Sequence, residues 1–382
     1  MKQLIKKGLR RLKFKFVPYN SKYKPLGVNK IKDNIDHKEI FPTFQSSLQI
    51  SKELSEACTE YIRTPRVVTF PPAQVIEIPN GRLYATNAYI AVIDQTNYLI
   101  PQVSYHYVSI NKLGLSDENT VFRNRFFINP VKYPGTLFTM LSGGGAVTNY
   151  GHWLIDAIPR VGLLKKSGWF DSVDWFLAPN YKYDYQQDTL SLLGIPKEKV
   201  IVANEVNHII ADKIIATSNT RHIGHFPVWA LEFLRNAFLD QIKPEQYPEF
   251  VYIRRSDSSI RRVINEEELV AQLKPLGFVD YELSKLSFSQ KVNLFRSAKV
   301  VVGATGAGLS NLIFCNPKTK ILEIFHSTFI STMFADMANN ADLDYHYIIK
   351  DGGKKAKTIK EGEIGHFMVD IDPIIQKVKD LL

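Results

Sequence analysis

The sequence predicts an α/β protein of two domains behind a basic N-terminal extension, and three observations lead there. Its 382 residues exceed what one hydrophobic core ordinarily serves, so two domains are the prior for this length. From Trp175 onward, short β-branched and aromatic runs alternate with helical patterns, as in successive βαβ units. Residues 299–316, KVVVGATGAGLSNLIFCN, join an unbroken Val300, Val301, Val302 run to a glycine-rich turn and a helix start. Such a run is the pattern of a strand buried on both faces.

The elements follow in order. Residues 1–45 form the extension, with Pro18, Pro25 and Pro42 marking 18–45 as an irregular tether. Residues 46–243 form the first domain. Its 66–140 stretch is strand-rich, with LYATNAYIAVID and NYLIPQVSYHYVSI punctuated by Pro and Gly. Gly143, Gly144 and Gly145 make a turn ahead of a helix starting near Gly151. Strands are expected at 175–178, 200–202 and 213–216, with helices at 184–193 and at 226–242, where Pro227 suits the first turn. Pro244 and Pro248 mark a linker, and residues 244–382 form the second domain. It should contain strands at 251–253, 300–302 and 320–325 and helices at 266–276 and 289–297. The last helix, 374–382, is expected to pack back on the first domain.

Three segments carry chemistry. The turn after Val302 presents Thr305, Gly306, Ala307 and Gly308 to a helix N-terminus, with Asn311 one turn on. Free amides and the helix dipole suit a phosphate there, although glycine also serves close packing alone. Residues 149–160, NYGHWLIDAIPR, place His152 and Asp156 at i and i+4 on one helix face. The carboxylate can orient the imidazole for proton transfer. The alternative is a buried histidine satisfied locally. Residues 252–269, YIRRSDSSIRRVINEEEL, put Arg254 and Arg255 at a strand end, where α/β sheets bind ligands, with Arg262, Asn265 and Glu266 following. A solvated charged loop is the alternative.

These three blocks, in this order, resemble glycosyltransferase family 61, whose members build polysaccharides and glycans. That family shows an NYxHWLxDxxPR-like block, a YIxRxxxxxRxxxNExEL block and a GAGLxN block after a hydrophobic strand. The likeness covers roughly residues 80–330. One departure is Thr305, where many members carry His before GAGL. The resemblance implies a GT-B-like arrangement of two Rossmann-like domains facing a cleft. It also implies an inverting hexosyl- or pentosyltransferase that moves sugar from a nucleotide-sugar donor to a glycan or lipid-linked glycan acceptor, of surface-polysaccharide, capsule or lipopolysaccharide type. On this reading His152 is the general base and Asp156 its orienter, with Asp156 acting directly as the alternative. Arg254, Arg255, Arg262, Thr305, Gly306, Ala307, Gly308 and Asn311 would bind the donor, with Glu323 on its ribose. Asn149 and Arg160 would contact acceptor or phosphate, and Asn265 and Glu266 would support Arg262. The DxD pairs Asp342/Asp344 and Asp370/Asp372 lie away from the blocks, so neither metal nor cofactor is expected.

Other classes fit less well. No GxxxxGK[ST] occurs, and the space from Asn311 to Lys320 is too short for a dinucleotide-binding crossover. An inactive nucleotide-sugar-binding scaffold is the alternative to an enzyme. The net charge of +10 is concentrated: residues 1–32 hold 11 basic and no acidic residues, leaving 37 basic against 38 acidic in the rest. A neutral body argues against a nucleic-acid partner. Ile5, Leu9, Leu12 and Phe16 form an apolar stripe flanked by Lys6, Lys7, Arg10, Arg11 and Lys13, so residues 2–17 suit an anionic membrane surface. No run approaches the ~20 apolar residues of a membrane span. With Cys58 and Cys315 the only cysteines, no disulfide framework is expected. The expected location is cytoplasmic, peripheral at the inner face of the cell membrane.

Overall fold

The computed structural model describes residues 22–29, 35–59, 65–109, 112–222, 224–349 and 358–382. The basic segment at 2–17 lies outside them. The described residues form two large sheets. The first, of twelve strands, is mixed. Its parallel part runs Val206–Thr217, Val131–Thr139, Trp175–Ala178, Val200–Val202. Antiparallel strands Ala73–Pro79, Arg82–Thr86 and Tyr89–Ile93 extend it beyond Val206–Thr217. This domain is therefore not a plain Rossmann unit. The short strand expected at 213–216 is twelve residues long, because its first half pairs with Arg82–Thr86 and its second with Ala73–Pro79.

The second sheet is five-stranded and parallel throughout. Its order is Val279–Tyr281, Phe250–Ile253, Val300–Ala304, Lys320–Phe325, Asp344–Ile349. Helices Glu266–Leu273, Phe288–Ser297 and Met333–Asn340 connect its strands. Ser287 and Gln290 cap the second of these reciprocally. One apolar cluster joins the sheets, with Trp153 and Ile158 from the first domain and Leu312 and Phe314 from the second. The helix Val228–Leu239 lies at this seam, where Arg235 donates to the Cys315 carbonyl at 2.7 Å.

Two placements differ from expectation. The last helix, Ile371–Leu381, packs on its own domain: Ile374, Val378 and Leu381 share a cluster with Leu269, Val270 and Leu322. Its apolar stripe announces a docking face without specifying the surface that receives it. Residues 48–59, assigned to the first domain, lie against the second. Leu54 packs on Phe325, Ile330 and Ala335, and burying each such side chain contributes about 1.5–3 kcal/mol. The backbone amide of Thr59 donates to the Ile330 carbonyl at 2.9 Å, and that of Ile330 to the Thr59 hydroxyl at 2.9 Å. Cys58 and Cys315 are both buried free thiols.

Candidate active site

The site lies where the helix carrying His152 meets the glycine turn of the second sheet. Asn149 caps that helix, its side chain accepting from the His152 amide at 3.2 Å. Tyr150–His152 is α-helical, and Trp153–Ala157 opens into a π-helical turn before Ile158–Ser167. Pro159 accounts for the opening, since it has no N–H to give the Ile155 carbonyl. Glycines allow the close approaches. A Cβ at Gly145 would lie 2.8 Å from the His152 ring, and one at Gly151 would lie 2.8 Å from Ser310 Oγ. Tyr150 then reaches across the seam, its hydroxyl donating to Asn311 Oδ1 at 2.5 Å.

His152 Nδ1 lies 2.7 Å from Asp156 Oδ2. Arg221 holds the same carboxylate through Nε on Oδ1 and through Nη2 on Oδ2 at 3.2 Å. Burial works against a charged Asp156, but the Arg221 guanidinium and the His152 hydrogen bond prevail, holding the carboxyl well below its usual range. An ionised acceptor on Nδ1 favours the tautomer that carries its proton on that nitrogen. The His152 side chain is 39% exposed and that of Asp156 13%. The imidazole meets the solvent, and the carboxylate stands behind it.

Sequence reasoning missed Arg221. It lies outside the three blocks, 65 residues beyond Asp156, in a turn after a long strand. Arg160, expected on acceptor or phosphate, explains that turn's position. It is buried, donating to Thr217 Oγ1 at 2.9 Å and to Tyr105 Oη and Asn219 Oδ1 at 3.0 Å each. It braces the chain that delivers Arg221 and does not reach the cleft.

On the facing side, Val300–Ala304 runs into Thr305 and Gly306, and the helix begins at Ala307 as a 3-10 helix, Ala307–Phe314. Asn311 is fully buried, donating to the Gly308 carbonyl at 2.8 Å. With Tyr150 and Gly308 as its partners it fixes the turn and the seam. The Arg255 guanidinium lies under the turn, where a Cβ at Gly306 would come 2.2 Å from Nη1. Its Nη2 donates to Ser258 Oγ and the Ile260 carbonyl at 2.9 Å each. Glu266 is buried and accepts from the Arg255 amide at 2.7 Å, so it supports Arg255 in place of Arg262.

Four donor-side expectations change. Arg254 is engaged by Asp280 and Glu267, the latter at 3.0 Å from Nη2, so its charge is already met. Arg262 turns from the cleft to the Ser258 carbonyl, and Arg261 takes the cleft position. A φ of +51° at Arg261 exchanges their sides. The Arg261 guanidinium lies 4.8 Å from the Phe329 ring centroid. Glu323 is fully buried, accepts from Tyr345 Oη at 2.6 Å, and is pushed up to about 7 by burial, so it does not face a ribose. Asn265 holds Val369 through two 3.0 Å hydrogen bonds and belongs to the scaffold.

Two hollows flank the turn. One, of about 260 Å³, is lined by Asn149, His152, Arg221, Arg261, Thr305 and Gly306. The other, of about 950 Å³, is lined by Tyr150, Tyr185, Arg255, Leu283, Lys291 and Gly308. Ala307 borders both.

Residues 150–322 match the family described as Glycosyltransferase 61. This stretch is a glycosyltransferase 61 domain. It runs from the His152 helix through the glycine turn and includes Arg221, Arg255 and Arg261. The beta-1,2-xylosyltransferase RCN11 of Oryza sativa subsp. japonica is 23% identical over 169 residues, 40% of this chain and 32% of that protein. The EGF domain-specific O-linked N-acetylglucosamine transferase of Gallus gallus is 26% identical over 108 residues, 27% of this chain and 20% of that protein. The chain thus spans a third or less of these relatives' length. Among solved structures, the bacterial iron-containing dodecameric glycosyltransferase TibC from enterotoxigenic E. coli is 11% identical, with 89% of this chain and 87% of that chain covered. Its TM-score is 0.28.

Proposed function

We propose that the protein is an inverting, metal-independent glycosyltransferase of GT-B arrangement, moving a pentosyl or hexosyl unit from a nucleotide sugar to a growing glycan. The observation that carries this is His152: its Nδ1 is held by an ionised Asp156 while its ring opens on a hollow shared with the glycine turn. The acceptor hydroxyl gives its proton to His152 Nε2 as its oxygen attacks the anomeric carbon. The bond to the diphosphate breaks on the opposite side, which inverts the configuration. The charge that grows on the diphosphate is met by Arg255, Arg261 and the turn's amides, and preorganised donors of this kind contribute several kcal/mol in a transition state. Because Ala307 borders both hollows, a diphosphate over the turn leaves the sugar beside His152 and the nucleoside in the larger hollow. The relatives' names support a pentosyl or N-acetylhexosaminyl donor. A panel of nucleotide sugars should include one that raises Tm and, with a glycan acceptor, releases nucleoside diphosphate. A panel that neither stabilises the protein nor turns over would overturn this reading.

Metal independence has its own support. Asp342 is paired with Lys318 at 2.6 Å and Asp344 with His346 at 2.9 Å. Asp344 opens its strand opposite Lys320, at the end of the sheet away from the glycine turn. Activity should therefore survive EDTA undiminished. Loss on chelation, restored by Mn²⁺ or Mg²⁺, would return these acids to the mechanism.

The acceptor we infer is a surface glycan of polysaccharide, capsule or lipopolysaccharide type, free or lipid-linked, met at the cytoplasmic face of the cell membrane. No helix among the described residues is long and apolar enough to cross a membrane. The basic stripe of residues 2–17 supports docking on anionic lipid, where each basic residue contributes about 1 kcal/mol. Deleting residues 2–17 should release the protein from anionic vesicles and leave transfer to a soluble acceptor unchanged. Undiminished vesicle binding would remove this anchor.

A further inference from the structure

The larger hollow holds a cation that no carboxylate contacts. Lys291, on the helix Phe288–Ser297, is only 7% exposed and lines the hollow. Among the described residues its ammonium has neither a hydrogen-bond acceptor nor an ion-pair carboxylate, and its contact is the Tyr150 ring, 5.2 Å from the centroid. The other cations nearby are engaged. Arg254 is held by Asp280 and Glu267 and Lys285 by Glu282 at 2.6 Å, while Arg255, whose Nη2 bonds go to the neutral oxygens of Ser258 and Ile260, lies under the glycine turn. Burial disfavours the charged form of Lys291, while Asp188, Asp257 and Asp184, which line the same hollow, favour it without touching it. An ammonium that lines a hollow on a mostly buried side chain, with no acceptor in contact, is placed to take a bound anion.

The wall beside it is aromatic. Tyr150 meets Tyr185 edge-on at 5.1 Å, and Tyr185 stacks on Tyr183 at 5.5 Å. Flat faces next to a buried cation, one step from the glycine turn, match a ligand with a planar ring at one end and a phosphate group at the other. We propose that Lys291 is a phosphate-binding residue of the larger hollow, recognising the phosphorylated part of a nucleotide whose base lies against the tyrosines. The proposal rests on the nucleotide-sugar reading and adds to it the cation that discriminates a nucleotide from its nucleoside.

The test is calorimetric titration of the full chain with UDP, GDP, ADP, dTDP and CMP and with the corresponding nucleosides, for wild type, Lys291→Met and Lys291→Arg. For whichever nucleotide binds wild type, Lys291→Met should raise Kd at least tenfold and leave nucleoside binding within twofold. Lys291→Arg should fall between. Without ligand, Lys291→Met should melt no lower than wild type, because it removes a charge that burial disfavours and no carboxylate contacts. Unchanged nucleotide affinity in Lys291→Met would overturn the assignment of Lys291 alone. A lower Tm with nucleoside binding equally weakened would overturn it too, as a packing role. A wild-type chain that binds none of the nucleotides would overturn this proposal together with the donor reading.

Discussion

Replacing His152 with alanine should lower turnover by about 10²- to 10⁴-fold and leave donor affinity nearly unchanged. The imidazole is the group that the surrounding chain presents to the smaller hollow, with Nδ1 fixed on Asp156 and Nε2 free. Asp156 is poorly suited to take a proton itself. Both its oxygens are engaged by Arg221, and its carboxyl is held well below the ordinary range. Asp156→Asn should therefore act through His152, altering the acidic limb of the pH–rate profile as well as the rate. Near-normal turnover in His152→Ala with none in Asp156→Asn would make Asp156 the base. Two active variants would make the pair structural.

Arg221→Met should destabilise the fold by about 3–5 kcal/mol, the usual cost of leaving one member of a buried ion pair without the other. The loss should depend on pH with a defined sign. Asp156 has a folded pKa depressed below its unfolded value of about 3.9. Its ionisation thus contributes stability above that value and loses it as pH falls through the folded one. In Arg221→Met the depression shrinks, so the penalty should be full near neutrality and diminish in acid. Urea denaturation at several pH values measures this. A penalty independent of pH, or below about 1 kcal/mol, would mean that Asp156 does not depend on Arg221.

Much of the second domain was legible because its strands are short apolar runs. The strand at Lys320–Phe325 falls where the sequence placed it, as do Trp175–Ala178 and Val200–Val202 in the first. The first sheet was less legible. His208 and Asp212 interrupt the apolar pattern of Val206–Thr217, and the strand's length is set by its pairing with Arg82–Thr86 and Ala73–Pro79. The His152–Asp156 pair was legible because helical spacing puts i and i+4 together. Arg221 was not, because its contact closes only after a long strand returns. The arginine pairs posed a different difficulty. Adjacent residues at a strand end point to opposite sides, so Arg254 meets carboxylates while Arg255 meets the glycine turn, and no local pattern says which. The positive φ that brings Arg261 inward in place of Arg262 has no glycine or asparagine to announce it.

The order of the first sheet bears on how such proteins diversify. Val131–Thr139 lies between Trp175–Ala178 and Val206–Thr217, hydrogen-bonded to both. Both neighbours fall inside the family-matched stretch 150–322, and the strand between them falls outside it. A chimaera that exchanged residues 150–322 alone would ask two foreign strands to accept a resident one between them, in register, with Phe138 facing new neighbours. Ala73–Pro79 and Arg82–Thr86 also pair with Val206–Thr217, so an exchange that keeps the sheet's pairings carries these strands along with Val131–Thr139.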